Sequence, residues 1–215
     1  MMRLSQSVIA SLFAALSVIS GSAQADDKKN SATIYQDGSG QSAIINQDGS
    51  GNSASIISRG DRNKIDLGQD APSSSDLKNK FEAYILGNNN LAEVEQIADA
   101  VPGANIATIT QSGSSNMARM HQGLAAIASG QAGNNIAVIT QNGDHNEADV
   151  GQYGSDNLAV LAQEGSHNKG DIIQNGAGLS AELTQTGIGL QYTITQTGCA
   201  VPSGCGTISV TQTGP

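Results

Sequence analysis

The sequence predicts an all-β fold, a β-solenoid of stacked strand-turn-strand coils with 22 residues per coil in two 11-residue half-repeats. Three observations over residues 137–196 carry the prediction. Glutamine recurs every 11 residues at Gln141, Gln152, Gln163, Gln174, Gln185 and Gln196. Glycine follows two places later, at Gly143, Gly154, Gly165, Gly176, Gly187 and Gly198. Two places before each glutamine stands Ile139, Val150, Leu161, Ile172, Leu183 or Ile194. A fixed short period marks a repeat architecture, in which each unit buries its apolar face only against its neighbours.

Composition points the same way. Trp is absent, aromatics make up 3% and Gly reaches 26 residues of 215, so a core built on large anchors is out of reach and order must come from a regular backbone. A formal net charge of −9 offers no basic footprint, and nucleic acid is not an expected partner.

Taken in order, residues 1–25 read as a secretory signal peptide. Arg3 precedes an apolar run from 8 to 19, and the stretch closes on Ala23-Gln24-Ala25. The run is shorter than the roughly 20 residues that span a bilayer. Cleavage after Ala25 removes Arg3 and no acid, leaving 9 − 19 = −10 on a secreted chain that begins at Asp26.

Residues 26–69 hold the first repeats. Gln36, Gln47, Ser58 and Gln69 are spaced by 11, Ser58 being a lapse, and Ile34, Ile45, Ile56 and Leu67 stand two places before them. Alternation of apolar and polar residues into the glutamine is the pattern of a half-buried strand. The segments that follow, such as Asp48-Gly49-Ser50-Gly51-Asn52, are turns.

Residues 70–80, with Ala-Pro-Ser-Ser-Ser, read as a loop. Residues 81–136 form an irregular block. Within it, 81–96 thread as two degraded repeats with Ile85 in the glutamine place and Gln96 in phase, although Leu91, Val94, Ile97, Ala98 and Val101 also fit helical spacing. Strands are preferred because both neighbours are strand repeats. The pattern resumes through Gln111 and Gln122, and the 19 residues from Gln122 to Gln141 hold either an eight-residue insertion or one shortened repeat.

Residues 137–215 are the regular block. A Cys-containing loop at 199–205 interrupts it before a last strand that ends at Gln212. Cys199 and Cys205, the only cysteines, are a possible disulfide on that turn.

Two half-repeats return the chain above its start, so odd and even units build two parallel sheets facing across a thin core. About 15 units give a stack roughly 34 Å tall at about 4.8 Å per coil. The expected core ladder is Gln36, Gln47, Gln111, Gln122, Gln141, Gln152, Gln163, Gln174, Gln185, Gln196 and Gln212, joined at the turns by Asn146, Asn157 and Asn168. Each side-chain amide donates to the one in the next coil, which offsets the cost of burying it. Asn52, Asn63 and Asn116 hold the same place, five residues after a glutamine position.

Chemistry of other kinds finds little support. No Ser-His-Asp cluster, Gly-x-Ser-x-Gly or phosphate loop is present, so no enzyme, cofactor or metal site is expected. His145 and His167, 22 apart, should stack on one edge, mostly as solvated turn residues. The pairs Thr108/Thr110 and Thr193/Thr195 suggest an ice-binding face, but they do not recur in register between 141 and 174.

The run Gln141-Asn142-Gly143-Asp144-His145-Asn146-Glu147-Ala148-Asp149-Val150-Gly151-Gln152, and the unit from Gln152 to Gln163 after it, resemble the curlin repeats of bacterial curli fibre subunits. The resemblance implies a secreted structural subunit that polymerises into extracellular amyloid for adhesion and biofilm matrix. It implies as partners further copies of itself, other curlin subunits and the outer-membrane secretion machinery. A fibre nucleator or cap, and a monomeric exported solenoid adhesin, are alternatives with the same fold.

Overall fold

A computed structural model describes residues 7–10, 30–71, 78–98, 103–123, 133–198 and 206–215. Cys199 and Cys205, the prolines Pro72, Pro102 and Pro202, and the expected signal peptide apart from Ser7–Ala10 lie outside the described residues. The described strands are β1 (Ser7–Ala10), β2 (Ser31–Asp37), β3 (Ser42–Gly49), β4 (Ser53–Arg59), β5 (Lys64–Ala71), β6 (Lys80–Asn88), β7 (Leu91–Ile97) and β8 (Ile106–Ser114). They continue as β9 (Met117–Gln122), β10 (Ile136–Asn142), β11 (Glu147–Ser155), β12 (Leu158–Ser166), β13 (Lys169–Ala177), β14 (Ser180–Ile188), β15 (Gln191–Thr197) and β16 (Thr207–Thr213).

From β2 onward consecutive strands alternate between two sheets. Sheet A runs β1-β2-β4-β6-β8-β10-β12-β14-β16 and sheet B runs β3-β5-β7-β9-β11-β13-β15, every pair parallel. The chain is therefore a β-solenoid, and no described residue is helical. The segment that also fitted helical spacing is strand, β6 and β7, with Ile85 paired to Gln111 and Gln96 to Gln122. Neighbouring strands on both sides decide it: an edge of unpaired backbone groups on each is satisfied only by another strand.

The expected coil of 22 residues is one of several lengths. Glutamines stacked in adjacent coils are 22 residues apart where no loop intervenes, as in Gln47 to Gln69 and Gln152 to Gln174. They are 27 apart from Gln69 to Gln96, 26 from Gln96 to Gln122, and 30 from Gln122 to Gln152. The extra residues all fall between a sheet B strand and the sheet A strand that follows it: 72–79, 98–105, 123–135 and 198–206. Every turn in the other direction keeps four tight residues from Gly to the capping position, as in Gly143-Asp144-His145-Asn146. One long edge of the solenoid is uniform and the other carries the loops. The gap between Gln122 and Gln141 is thus an eight-residue insertion (30 − 22), not a shortened repeat.

The core is a thin slab of side chains in register. From sheet A it takes Ala54, Ile56, Phe81, Ile85, Ala107, Ile109, Ala137, Ile139, Ala159, Leu161, Ala181 and Leu183. From sheet B it takes Ala43, Ile45, Ile65, Leu67, Ala92, Val94, Ala118, Met120, Ala148, Val150, Ile172 and Ile194. Small and branched residues alternate along most strands, and this order is reversed in β6, where Phe81 takes the alanine place and Ala83 the aliphatic one. The swap keeps the volume of the layer while exchanging its positions.

Glycine spacing has a steric cause beyond backbone freedom. At Gly143 φ is 121°, and a Cβ would run into the carbonyl oxygen of Gly165 in the next coil. Two residues on, His145 holds φ 58°, so the tight turn uses a second left-handed residue, which is glycine only at Gly40 and Gly189 among the equivalent turns of the uniform edge.

Candidate assembly site: the amide ladders

The inward glutamines of sheet B form one unbroken column. The Nε2 of Gln47 donates to Gln69 Oε1 at 2.9 Å, Gln69 to Gln96 at 2.8 Å, Gln96 to Gln122 at 2.9 Å and Gln122 to Gln152 at 2.9 Å. Gln152 donates to Gln174 at 3.0 Å and Gln174 to Gln196 at 2.8 Å. The second Nε2 hydrogen reaches across the core to a carbonyl at the start of the sheet A strand in the same coil, as from Gln152 to Ile136 O at 3.0 Å and from Gln174 to Leu158 O at 3.0 Å. Each glutamine thus ties its coil to the next and its sheet to the other. With both hydrogens and Oε1 engaged, the buried amide no longer carries an uncompensated desolvation cost.

Sheet A has a ladder only in its C-terminal part. Gln111 donates to Gln141, Gln141 to Gln163, Gln163 to Gln185 and Gln185 to Gln212, each at 2.9 Å. Gln36 stands apart from this ladder, because Ser58 and Ile85 occupy the next two places in its column. The amide of Gln36, the hydroxyl of Ser58 and the Oε1 of Gln111 are buried without a hydrogen-bond partner among the described residues. Gln111 Oε1 is orphaned because donation runs from each coil to the one after it, and Ile85 has nothing to donate.

Asn90, Asn116 and Asn135 donate from Nδ2 to the Oδ1 of Asn63, Asn90 and Asn105 in the expected side-chain stack, at 3.2, 3.2 and 3.1 Å, while further bonds run from side chain to backbone. Asn146 Oδ1 accepts the backbone N–H of Asn168 at 3.1 Å, and Asn157 Oδ1 accepts that of Leu179 at 3.0 Å. Their Nδ2 groups donate to glycine carbonyls of the next coil, Asn146 to Gly165 at 2.9 Å, Asn157 to Gly176 at 3.0 Å and Asn168 to Gly187 at 2.9 Å. One column runs Asn63, Asn90, Asn116, Asn146 and Asn168 on the uniform edge, and another includes Asn79, Asn105, Asn135 and Asn157 on the looped edge. Counting five residues on from a glutamine misses Asn79, Asn105 and Asn135, because the loops are inserted before them. Each is the residue just ahead of the described strand or one residue from it, and phase counted back from that strand finds it.

Outward groups are sparser. On sheet B, Arg119 lies 3.4 Å from both Glu93 and Glu147, and Lys169 lies 3.2 Å from Glu147. Asp149 sits in this cluster with Asp171 paired directly beside it. Burial pushes its carboxyl above the usual range, opposed by His121 and Arg119 and reinforced by Asp171 and Glu147. At the uniform edge Asp61 accepts from the Ser39 hydroxyl and N–H, which hold its carboxyl below the usual range. His145 and His167 stack with ring centroids 5.0 Å apart and planes 5° from parallel. Among the described residues no group of three or more His, Cys, Asp or Glu side chains is placed to hold a metal. The Thr108/Thr110 pair is followed in register by Val138/Thr140 and Val160/Ala162, which breaks a threonine face.

The family model for the curlin associated repeat matches residues 29–60, 132–165 and 154–187. The chain carries curlin associated repeats. The matched segments are the coils with the shortest turns, while the amide column of sheet B runs on through Gln69, Gln96 and Gln122 between them. These repeats support a curli-type structural subunit. No curated protein and no solved structure gives a significant match to this curlin-repeat chain.

Proposed function

We propose that the curlin-repeat chain is a secreted subunit that polymerises into extracellular curli-like amyloid fibres serving adhesion and biofilm matrix. The observation that carries this reading is the continuous, one-directional amide column from Gln47 to Gln196. Such a column ends on a glutamine with an N–H to give and begins on one with an oxygen to accept. The sheet edges at the two ends likewise present unpaired backbone groups, the template on which a further strand adds.

Export follows from the leader, with cleavage after Ala25 and passage through an outer-membrane curlin secretion pore. The partners are further copies of the chain and other curlin subunits. Strand β1 falls inside the leader and pairs with β2 at Ser31–Ile34 in the uncleaved chain. Cleavage therefore also bares the edge of β2.

The test is incubation of the mature chain, alone and with preformed seeds. The expected result is fibres that enhance thioflavin fluorescence and give a meridional reflection at about 4.7–4.8 Å. A mature chain that stays monomeric for days with seeds present would leave the monomeric adhesin as the standing account.

A further inference from the structure

We infer that successive subunits in the fibre are related by a half-turn about the fibre axis, so that sheet A of one copy continues as sheet B of the next. This rests on the polymer reading above and specifies the interface. Without β1, the described strands β2 to β16 number 16 − 1 = 15, eight in sheet A and seven in sheet B. An odd number of half-coils leaves both ends as ramps. At the C-terminal end β16 makes sheet A stand half a coil higher than sheet B, which ends at β15. At the N-terminal end sheet A begins half a coil lower, at β2, than sheet B at β3.

Two such ramps close without a gap in one way only. The low strand β2 of the incoming copy must sit on the low strand β15, and β3 must sit on β16. If the copy arrives unrotated, β2 meets β16 and β3 is left about 9.6 Å from β15, two strand spacings. One strand's worth of backbone donors and acceptors would then be unpaired at every junction, each an expensive omission. Strand direction permits the rotation. Strands are parallel within each sheet and reverse between sheets, and a half-turn about the axis reverses them again.

The side chains at the junction fit the same arrangement. Placed on β15, β2 sets Ile34 over Ile194 and Gln36 over Gln196. Placed on β16, β3 sets Ile45 over Val210 and Gln47 over Gln212. Tyr192 occupies an alanine place, with Gly170 beside it in its own copy and Ala32 over it in the next. Ile208 likewise lies between Ala181 and the incoming Ala43. Each bulky residue is flanked by small ones. Gln36 lacks a partner among the described residues of its own chain, and Gln196 Nε2, which uses one hydrogen on Ser180 O, has the other for Gln36 Oε1.

Helical reconstruction of fibres of the mature chain by cryo-electron microscopy tests this. The expected rise is about 36 Å per subunit, seven and a half coils at about 4.8 Å. The rotation should be a half-turn added to the twist of the coils, with the loop-bearing edge alternating sides from subunit to subunit. Solid-state NMR on fibres of mixed labelled copies should show intermolecular Ile194–Ile34 and Val210–Ile45 contacts. Fibres with the looped edge always on one side, a rise of about 38 Å and Val210–Ile34 contacts overturn the half-turn and leave the polymer standing. Absence of any fibre overturns both.

Discussion

A partly buried carboxylate beside another is a poor choice for stability, and Asp149 is that case. Burial, with Asp171 next to it in the adjacent coil, raises its pKa above the unfolded value. The folded chain therefore binds this proton more readily than the unfolded chain does. The penalty is absent below the unfolded pKa, grows as pH rises through the folded one, and is fully present at neutrality. Asp149→Asn should raise the guanidinium midpoint of fresh monomer at pH 7 and leave it little changed at pH 3, measured by far-UV circular dichroism. Gly143 is constrained the opposite way, by φ 121° and by the Gly165 carbonyl where its Cβ would be. Gly143→Ala should destabilise by about 1–3 kcal/mol from the backbone angle alone, with more from the collision, read as a lowered midpoint in the same titration. The equivalent change at Gly189, where an added Cβ meets nothing within 4 Å, carries only the backbone cost.

The strand and its amide ladder are the next scale, and here position in the column decides the cost of a change. Gln163→Leu orphans one hydrogen of Gln141 Nε2 and the Oε1 of Gln185, which should cost about 1–3 kcal/mol for each atom. Gln212→Leu removes a terminal acceptor and one exposed bond, from Nε2 to Gln191 O at 3.3 Å, in the isolated chain, so its midpoint should fall by less than half as much. Hydrogen exchange should show the loss at Gln163 spreading to the amides of β10 and β14. The chain contains its own version of this lesion at Ile85, which leaves Gln111 Oε1 without a donor. The alternation of apolar and polar residues made the strands legible from sequence, even through β6 and β7, because side-chain direction in a strand has a period of two regardless of residue identity. The glutamine columns were legible for the same reason where the period held. Asn79, Asn105 and Asn135 were not, since loops of unequal length precede them, and loop length leaves strand phase untouched. The direction of donation along the ladder was also hidden, because an amide carries donor and acceptor on the same side chain and only the geometry orients it.

At the scale of the whole molecule, a one-directional ladder makes the two ends chemically different. The C-terminal end offers Gln196 and Gln212 as donors above Ile194 and Val210, and the N-terminal end offers Gln36 and Gln47 as acceptors beside Ile34 and Ile45. A charge placed on the core column at one end should therefore disable that end alone. Val210→Asp buries an unpaired carboxylate only when another copy lands on it, at a cost of several kcal/mol per junction. In the free monomer Val210 is half-buried at the rim, so the variant should still fold. Its N-terminal end remains competent and can add to a growing wild-type fibre, which then cannot extend past it. Small amounts of Val210→Asp should thus shorten seeded wild-type fibres in proportion to the fraction added, measured by length distributions in electron micrographs. Ile34→Asp disables the other end, and a mixture of the two variants should stop at pairs joined through their intact ends, visible by analytical ultracentrifugation. If Val210→Asp and Ile34→Asp instead polymerise together into long fibres, growth does not run head to tail through these columns.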